Sequence, residues 1–278
     1  MRYLVFLIIF FISLNCGGSQ MVTSKTDWIN KQTIYEVNLR QFTEDGTISS
    51  FRQHLPRLKE MGFGILWFMP IHPIGEKNRK GELGSYYSVK DYFAVNPEFG
   101  TAKEFKSLVD EIHKMGMYVI IDWVANHTAC DNEMVFANPT WYTKDNNGDF
   151  QPPSGTDWSD VYDLDYTNLE LREYMIDAME FWVKEYDIDG FRCDVAGMVP
   201  TDFWESAVER INSIKPVFML AEWEDPDLLV KAFKADYNWS FYHLLKDIAS
   251  SKKENNSIRE YFEKPKKEYP ENALKMNF

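Results

Sequence analysis

The feature that most limits how this chain can fold is a repeated alternation of short apolar runs with longer amphipathic stretches of helical period. Thr33-Ile34-Tyr35-Glu36-Val37-Asn38-Leu39 reads as a first strand, and Phe51, Leu55, Leu58 and Met61 then recur at helical spacing before Gly62 ends that helix. Gly64-Ile65-Leu66-Trp67-Phe68-Met69-Pro70 is apolar throughout, as expected of a strand buried on both faces of a parallel sheet. Thr101-Ala102-Lys103-Glu104 has the capping-box pattern. It opens a helix whose apolar face is Phe105, Leu108, Val109, Ile112 and Met115, and Gly116 stops it. Tyr118 to Asp122 is the third strand, Gly190 to Val195 the fourth and Val217 to Glu222 the fifth. A helix from Leu171 to Tyr186 precedes the fourth, a weak sixth strand lies near Ala235 to Tyr237, and Ala273 to Phe278 reads as a seventh.

Alternation of this kind implies a parallel α/β sheet. Acidic residues at successive strand ends favour a (β/α)8 TIM barrel over a doubly wound sheet, and 278 residues suit one such domain. The stretch of about 129–168, rich in Asn, Asp, Pro and Gly, is too long for an ordinary connection and reads as a functional excursion after strand three. Lys264-Pro265-Lys266-Lys267-Glu268 reads as a solvated turn.

The formal net charge of -13 describes a solvated acidic surface and argues against a nucleic-acid partner, which needs a basic footprint. A neutral polysaccharide meets no such obstacle. Aromatic residues make up 16% of the chain, enough to fill a core and still offer rings for stacking on sugars. At the N-terminus, Arg2 and the apolar run Leu4 to Leu14 form a targeting segment, too short to span a bilayer comfortably. It ends at Ser13-Leu14-Asn15-Cys16-Gly17-Gly18-Ser19, similar to a bacterial lipoprotein cleavage site with Cys16 as the acylated residue, although Asn15 stands where a small residue is usual. Residues 1–20 are therefore expected to be a leader and anchor, 21–278 a partial barrel, and the protein exported and surface-tethered, with simple secretion as the alternative. The remaining Cys130 and Cys193 have no metal-like or redox-like spacing and are expected to be buried free thiols.

Asp122, Asp194 and Glu222 each stand at the end of a strand, and in a barrel the C-terminal strand ends form one cleft. A single strand-end acid is as readily a structural ion-pair partner. Three, each with Arg, Asn, His or Trp nearby, point to a carboxylate centre. At these residues the chain resembles the α-amylase family. Asp122-Trp123-Val124-Ala125-Asn126-His127, Gly190-Phe191-Arg192-Cys193-Asp194 and Ala221-Glu222-Trp223 are similar to three of its conserved regions, in the family's order. Gly84 to Tyr92 and Asn96 to Thr101 resemble the segment after its second strand.

The resemblance implies retaining hydrolysis of α-1,4-glucosidic bonds in starch, maltooligosaccharides or related α-glucans, with Asp194 as nucleophile and Glu222 as general acid/base. Arg192, two residues before Asp194 and on the same strand face, is expected to hold it ionised, and Trp223 to desolvate Glu222. His127 would bind hydroxyls of the reacting ring, Tyr87 would stack beneath it, and Asp122 would organise Arg192. Asn126 and Asp165 match positions that ligate calcium in relatives, so Ca2+ is a candidate cofactor. Two departures stand out. The family's third acid, in an Asn-His-Asp segment after strand seven, is not reached before Phe278, and neither are the eighth strand and the β-domain beyond it. The expectation is of a barrel incomplete at its C-terminus, slow or inactive by itself. After Asp194, Val195-Ala196-Gly197-Met198 replaces the common Lys-His, which leaves room for short maltooligosaccharides or cyclodextrins. A transglycosylase of the same family and a non-catalytic glucan-binding lipoprotein are the competing readings.

Overall fold

The structure is a computed structural model that describes residues 27–263 and 269–278. The leader, Cys16 and the turn 264–268 lie outside the described residues. Nine strands are present among them: β1 (Ile34–Val37), β2 (Ile65–Phe68), β3 (Tyr118–Trp123), β4 (His127–Ala129), β5 (Val161–Asp163), β6 (Gly190–Cys193), β7 (Phe218–Ala221), β8 (Ala235–Tyr237) and β9 (Leu274–Met276). Seven of these form one sheet in the order β1-β2-β3-β6-β7-β8-β9, every neighbouring pair parallel. The expected strands three to seven are thus β3, β6, β7, β8 and β9. This is the curled sheet of an incomplete (β/α)8 barrel.

Side chains alternate across each strand, and that period of two divides the molecule into two cores. Leu66, Phe68, Val119, Ile121, Phe191 and Met219 face the surrounding helices. Ile65, Trp67, Ile120, Phe218, Leu220, Ala235 and Tyr237 face inward. The parity carries further along the same strands: Ile120 is followed two residues on by Asp122, Gly190 by Arg192 and then Asp194, and Leu220 by Glu222. The inward face therefore changes from apolar to charged at the C-terminal ends. At the opposite end, Trp28 in the short 3-10 helix Asp27–Lys31 stacks on Tyr118 at 3.7 Å between ring centroids and meets the edge of Phe218. This segment closes the inner core from below.

Two local expectations are corrected. The helix carrying Phe51 to Met61 is two helices, Ile48–Arg52 and Leu55–Glu60, because Pro56 lacks the amide a continuous helix needs and instead occupies the first turn of the second. Met61, placed on the apolar face, is 57% exposed. The capping box at Thr101 is formed, with Thr101 and Glu104 bonded reciprocally at the start of Ala102–Lys114. Cys130 and Cys193 are buried free thiols. The stretch after β3 leaves and returns through the antiparallel pair β4–β5, in which His127 stands opposite Asp163. No helix among the described residues is long and apolar enough to cross a membrane.

Candidate active site

Four charged side chains meet at the C-terminal mouth of the sheet around one guanidinium. Arg192 Nη1 donates to Asp122 Oδ1 at 2.9 Å and to Asp194 Oδ1 at 3.0 Å, and Nη2 pairs with Glu222 Oε1 at 2.9 Å. Register explains the first contact, since Asp122 and Arg192 are direct partners across β3 and β6. Arg192 Nε donates to Tyr237 Oη at 3.2 Å, and its cationic carbon lies 5.0 Å from the Trp67 ring centroid. The guanidinium, only 4% exposed, is fixed on every side. Asp122 is fully buried and also accepts from Trp67 Nε1 at 3.1 Å and from Tyr87 Oη at 3.4 Å.

Charge balance decides the protonation of this cluster. Burial pushes Asp122 up to about 6 even though Arg192 draws it down. Burial, reinforced by the neighbouring Asp122, likewise raises Asp194 well above the usual carboxylate range, against the pull of Arg192. The expectation that Arg192 holds Asp194 ionised considers that pair alone; burial and the like charge of Asp122 act against it and raise Asp194. Burial lowers His127 to about 4, so its imidazole is neutral.

Glu222 is oriented by a second device. Its Oε2 accepts the main-chain N–H of Val195 at 2.9 Å. Val195 sits at φ 37°, ψ 48°, a left-handed conformation costly for a β-branched residue, roughly 1–3 kcal/mol. That bend turns the chain after Asp194 back towards Glu222. Trp223 is 37% exposed and its ring lies on Gly197, where an added Cβ would come within 2.1 Å of Trp223 Cε2. The glycine in place of the family's common Lys-His is what admits this ring.

A cavity of about 380 Å³ opens over the cluster, lined by Tyr87, His127, Arg192, Asp194 and Glu222, so five of the residues singled out from sequence share one space. Its remaining walls were not anticipated: Lys80 and Ser85 from the loop after β2, Trp158, Asp160 and Val161 from the excursion, and Val195. Glu36 was also missed. It lines the inner cavity beside Trp67, and burial raises it while Arg192 lowers it. Its position on β1, two residues from the inward Ile34, is the signal that could have found it.

Asn126 and Asp165 do not line this cavity. Asn126 Nδ2 faces His127 Nδ1 at 3.3 Å, and Asp165 Oδ1 accepts from the backbone and hydroxyl of Thr167. Two side-chain oxygens fall far short of the six to eight that calcium takes, and among the described residues no group of three or more His, Cys, Asp or Glu could hold a metal. The side chains of Asn126 and Asp165 alone do not make a calcium site.

A parallel barrel sheet with a carboxylate trio clamped by one arginine at its C-terminal mouth defines an enzyme-type (β/α)8 barrel. The comparisons make this specific. The family model for the α-amylase catalytic domain matches residues 23–153 and 132–264. A maltogenic α-amylase of Bacillus acidopullulyticus is 30% identical over 246 residues, covering 78% of this chain and 39% of that protein. Among solved structures, an α-amylase from Lactobacillus plantarum superposes with a TM-score of 0.83 at 37% identity, covering 88% of this chain and 61% of that one. A maltogenic α-amylase from Thermotoga neapolitana gives a TM-score of 0.82 at 39% identity, covering 88% and 58%. The chain belongs to the α-amylase family. It spans well under half the length of the curated relative it matches.

Proposed function

We infer that this chain carries the carboxylate centre of a retaining hydrolase of α-1,4-glucosidic bonds in starch, maltooligosaccharides or related α-glucans. The observation that carries the reading is the shared guanidinium: Asp194 and Glu222 are bonded to neighbouring nitrogens of Arg192, at 3.0 and 2.9 Å. Two carboxyls so tethered suit the short separation, about 5 Å, of a nucleophile and acid that act with retention. Asp194 attacks the anomeric carbon while Glu222 protonates the departing glycosidic oxygen. Glu222 then deprotonates the water that releases the sugar. Neutral His127 and Tyr87 hold the reacting ring, and Asp122 orients Arg192.

The test is sugar release from soluble starch and maltooligosaccharides by the protein completed to a full barrel. Asp194→Asn should lower it by at least about a thousandfold. Release by that variant at the unsubstituted rate would sink the assignment. Products longer than the substrate would instead identify a transglycosylase.

The same proposal puts the protein outside the cytoplasmic membrane, on a lipid attached to Cys16, with an α-glucan as its partner. Its support is the pattern of Arg2, the apolar run Leu4 to Leu14 and Cys16. Expression in a bacterial host with labelled palmitate should label the protein but not Cys16→Ser. Equal absence of label from both would favour simple secretion.

A further inference from the structure

The loop after β2 lines a second cavity, of about 600 Å³, that shares no residue with the one over the carboxylate centre. Small-molecule sites occupy about 300–1,000 Å³, so this one is of ligand size. The short helix Glu133–Ala137 and the helix Leu169–Tyr186 complete its wall, and nothing in the proposed chemistry uses it. Two half-buried rings, Phe93 and Tyr174, line it edge to face with centroids 5.6 Å apart, and Met134 adds a buried thioether.

The ions on this wall do not balance, since four carboxylates share it with two cations. Lys90 is taken up by Glu76 at 2.9 Å and by Asp131 at 3.3 Å, and Glu98 is paired with Arg40 at 3.2 Å. Arg79 spends Nε on the carbonyl oxygen of Gly75 at 2.8 Å and Nη2 on that of Ile74 at 3.4 Å. Asp91 accepts the nearby Phe93 N–H at 2.8 Å, and among the described residues neither Asp91 nor Glu133 forms an ion pair. Burial, with Asp91 and Glu133 in electrostatic reach, pushes the Tyr174 phenol up to about 12, and its hydroxyl makes no hydrogen bond to a described residue.

That set of groups selects the ligand. Asp91, Glu133 and Tyr174 Oη are three acceptors with capacity to spare, and a primary ammonium has three N–H donors. The negative excess opposes an anion. A hard divalent cation takes six to eight oxygens and gains nothing from the hydrocarbon wall. A quaternary ammonium has no hydrogen to donate. Aromatic rings add attraction for an organic cation and cover its apolar body.

We propose that this cavity binds a small organic primary amine, its ammonium held by Asp91, Glu133 and Tyr174 and its apolar body lying against Phe93 and Met134. The inference stands independently of the glucan reading.

Saturation-transfer NMR titration of the full 278-residue chain with 2-phenylethylammonium, and with 2-phenylethanol as its neutral counterpart, tests the site. The ammonium should bind with a Kd of about 1–10 mM and the alcohol at least about fivefold more weakly. Asp91→Asn keeps the oxygen that the Phe93 N–H needs. It and Glu133→Gln should each weaken the amine about three- to fivefold, and the two together about tenfold or more. Both side chains are exposed, so the fold of these variants is secure. An amine seated at the carboxylate centre instead would bind the double variant with unchanged affinity, and that result overturns the site. Equal affinity for amine and alcohol overturns it too, as does no detectable binding of the amine.

Discussion

Replacing Arg192 by Met tests the electrostatics of the site with a sign as well as a size. In the native protein the guanidinium holds Asp122, Asp194 and Glu222 at 2.9, 3.0 and 2.9 Å. Removing one partner of a buried ion pair costs about 3–5 kcal/mol, because a charge is left without compensation. Here the stranded groups can titrate, so the cost depends on pH. Asp122 stands at about 6 when folded, against an ordinary value of 3.8. A folded value above the unfolded one favours the native state below pH 3.8, and that contribution is lost as pH rises through about 6. A rise from 3.8 to about 6 corresponds to roughly 3 kcal/mol in the native protein. Without Arg192 the folded value moves higher still, so the variant loses more and loses it over a wider range. At pH 5 Asp122 is largely neutral and the thioether packs among Trp67, Tyr87 and Tyr237, so the variant should be within about 1 kcal/mol of the native protein. At pH 8 the deficit should reach about 3–5 kcal/mol. Urea unfolding followed by tryptophan emission at pH 5, 6.5 and 8 measures both. A deficit that stays constant across those three pH values would refute the reasoning.

Two further outcomes follow from packing. Gly190→Ala would put a Cβ 1.9 Å from the main-chain oxygen of Phe218, at a φ of 156°, so β6 and β7 must part to admit it. A loss of about 3–4 kcal/mol or more in urea melts is expected, and a variant of native stability would show that this strand contact is wrong. Trp28→Ala removes the ring stacked on Tyr118 and edged against Phe218. The expected loss is about 2–3 kcal/mol, whereas deletion of an idle lead-in would leave the melting curve unmoved.

Strand periodicity made much of this molecule legible in advance. The continuous run around Ile65 to Phe68 could only be a strand covered on both faces, and a period of two then fixed which acids point inward. Asp122, Asp194 and Glu222 were found at strand ends, and parity added that Arg192 shares a face with Asp194. What was not legible came from segments without a period. Lys80 meets Asp157 across 77 residues of sequence and Asp160 across a similar distance, and neither partner lies in a regular element. Trp158 reaches His127 only because β4 and β5 pair, and three-residue strands leave almost no pattern to read. Trp28 was hidden in polar surroundings, and its role depends on Tyr118 and Phe218, which no local window contains.

The protonation of Asp194 shows why contact is easier to read than consequence. The spacing of two residues correctly brings Arg192 to Asp194, and taken as a pair they argue for a carboxylate held ionised. The same guanidinium nitrogen, however, also donates to Asp122, which arrives from a different strand 70 residues away. Asp122 brings a like charge and helps to bury the pair, and together these outweigh the attraction. A pairwise rule gives the geometry, but the sign of the shift belongs to the three-body cluster. In the proposed chemistry Arg192 is what holds Asp194 and Glu222 side by side. Arg192→Met should therefore abolish sugar release even at pH 5, where its fold is intact.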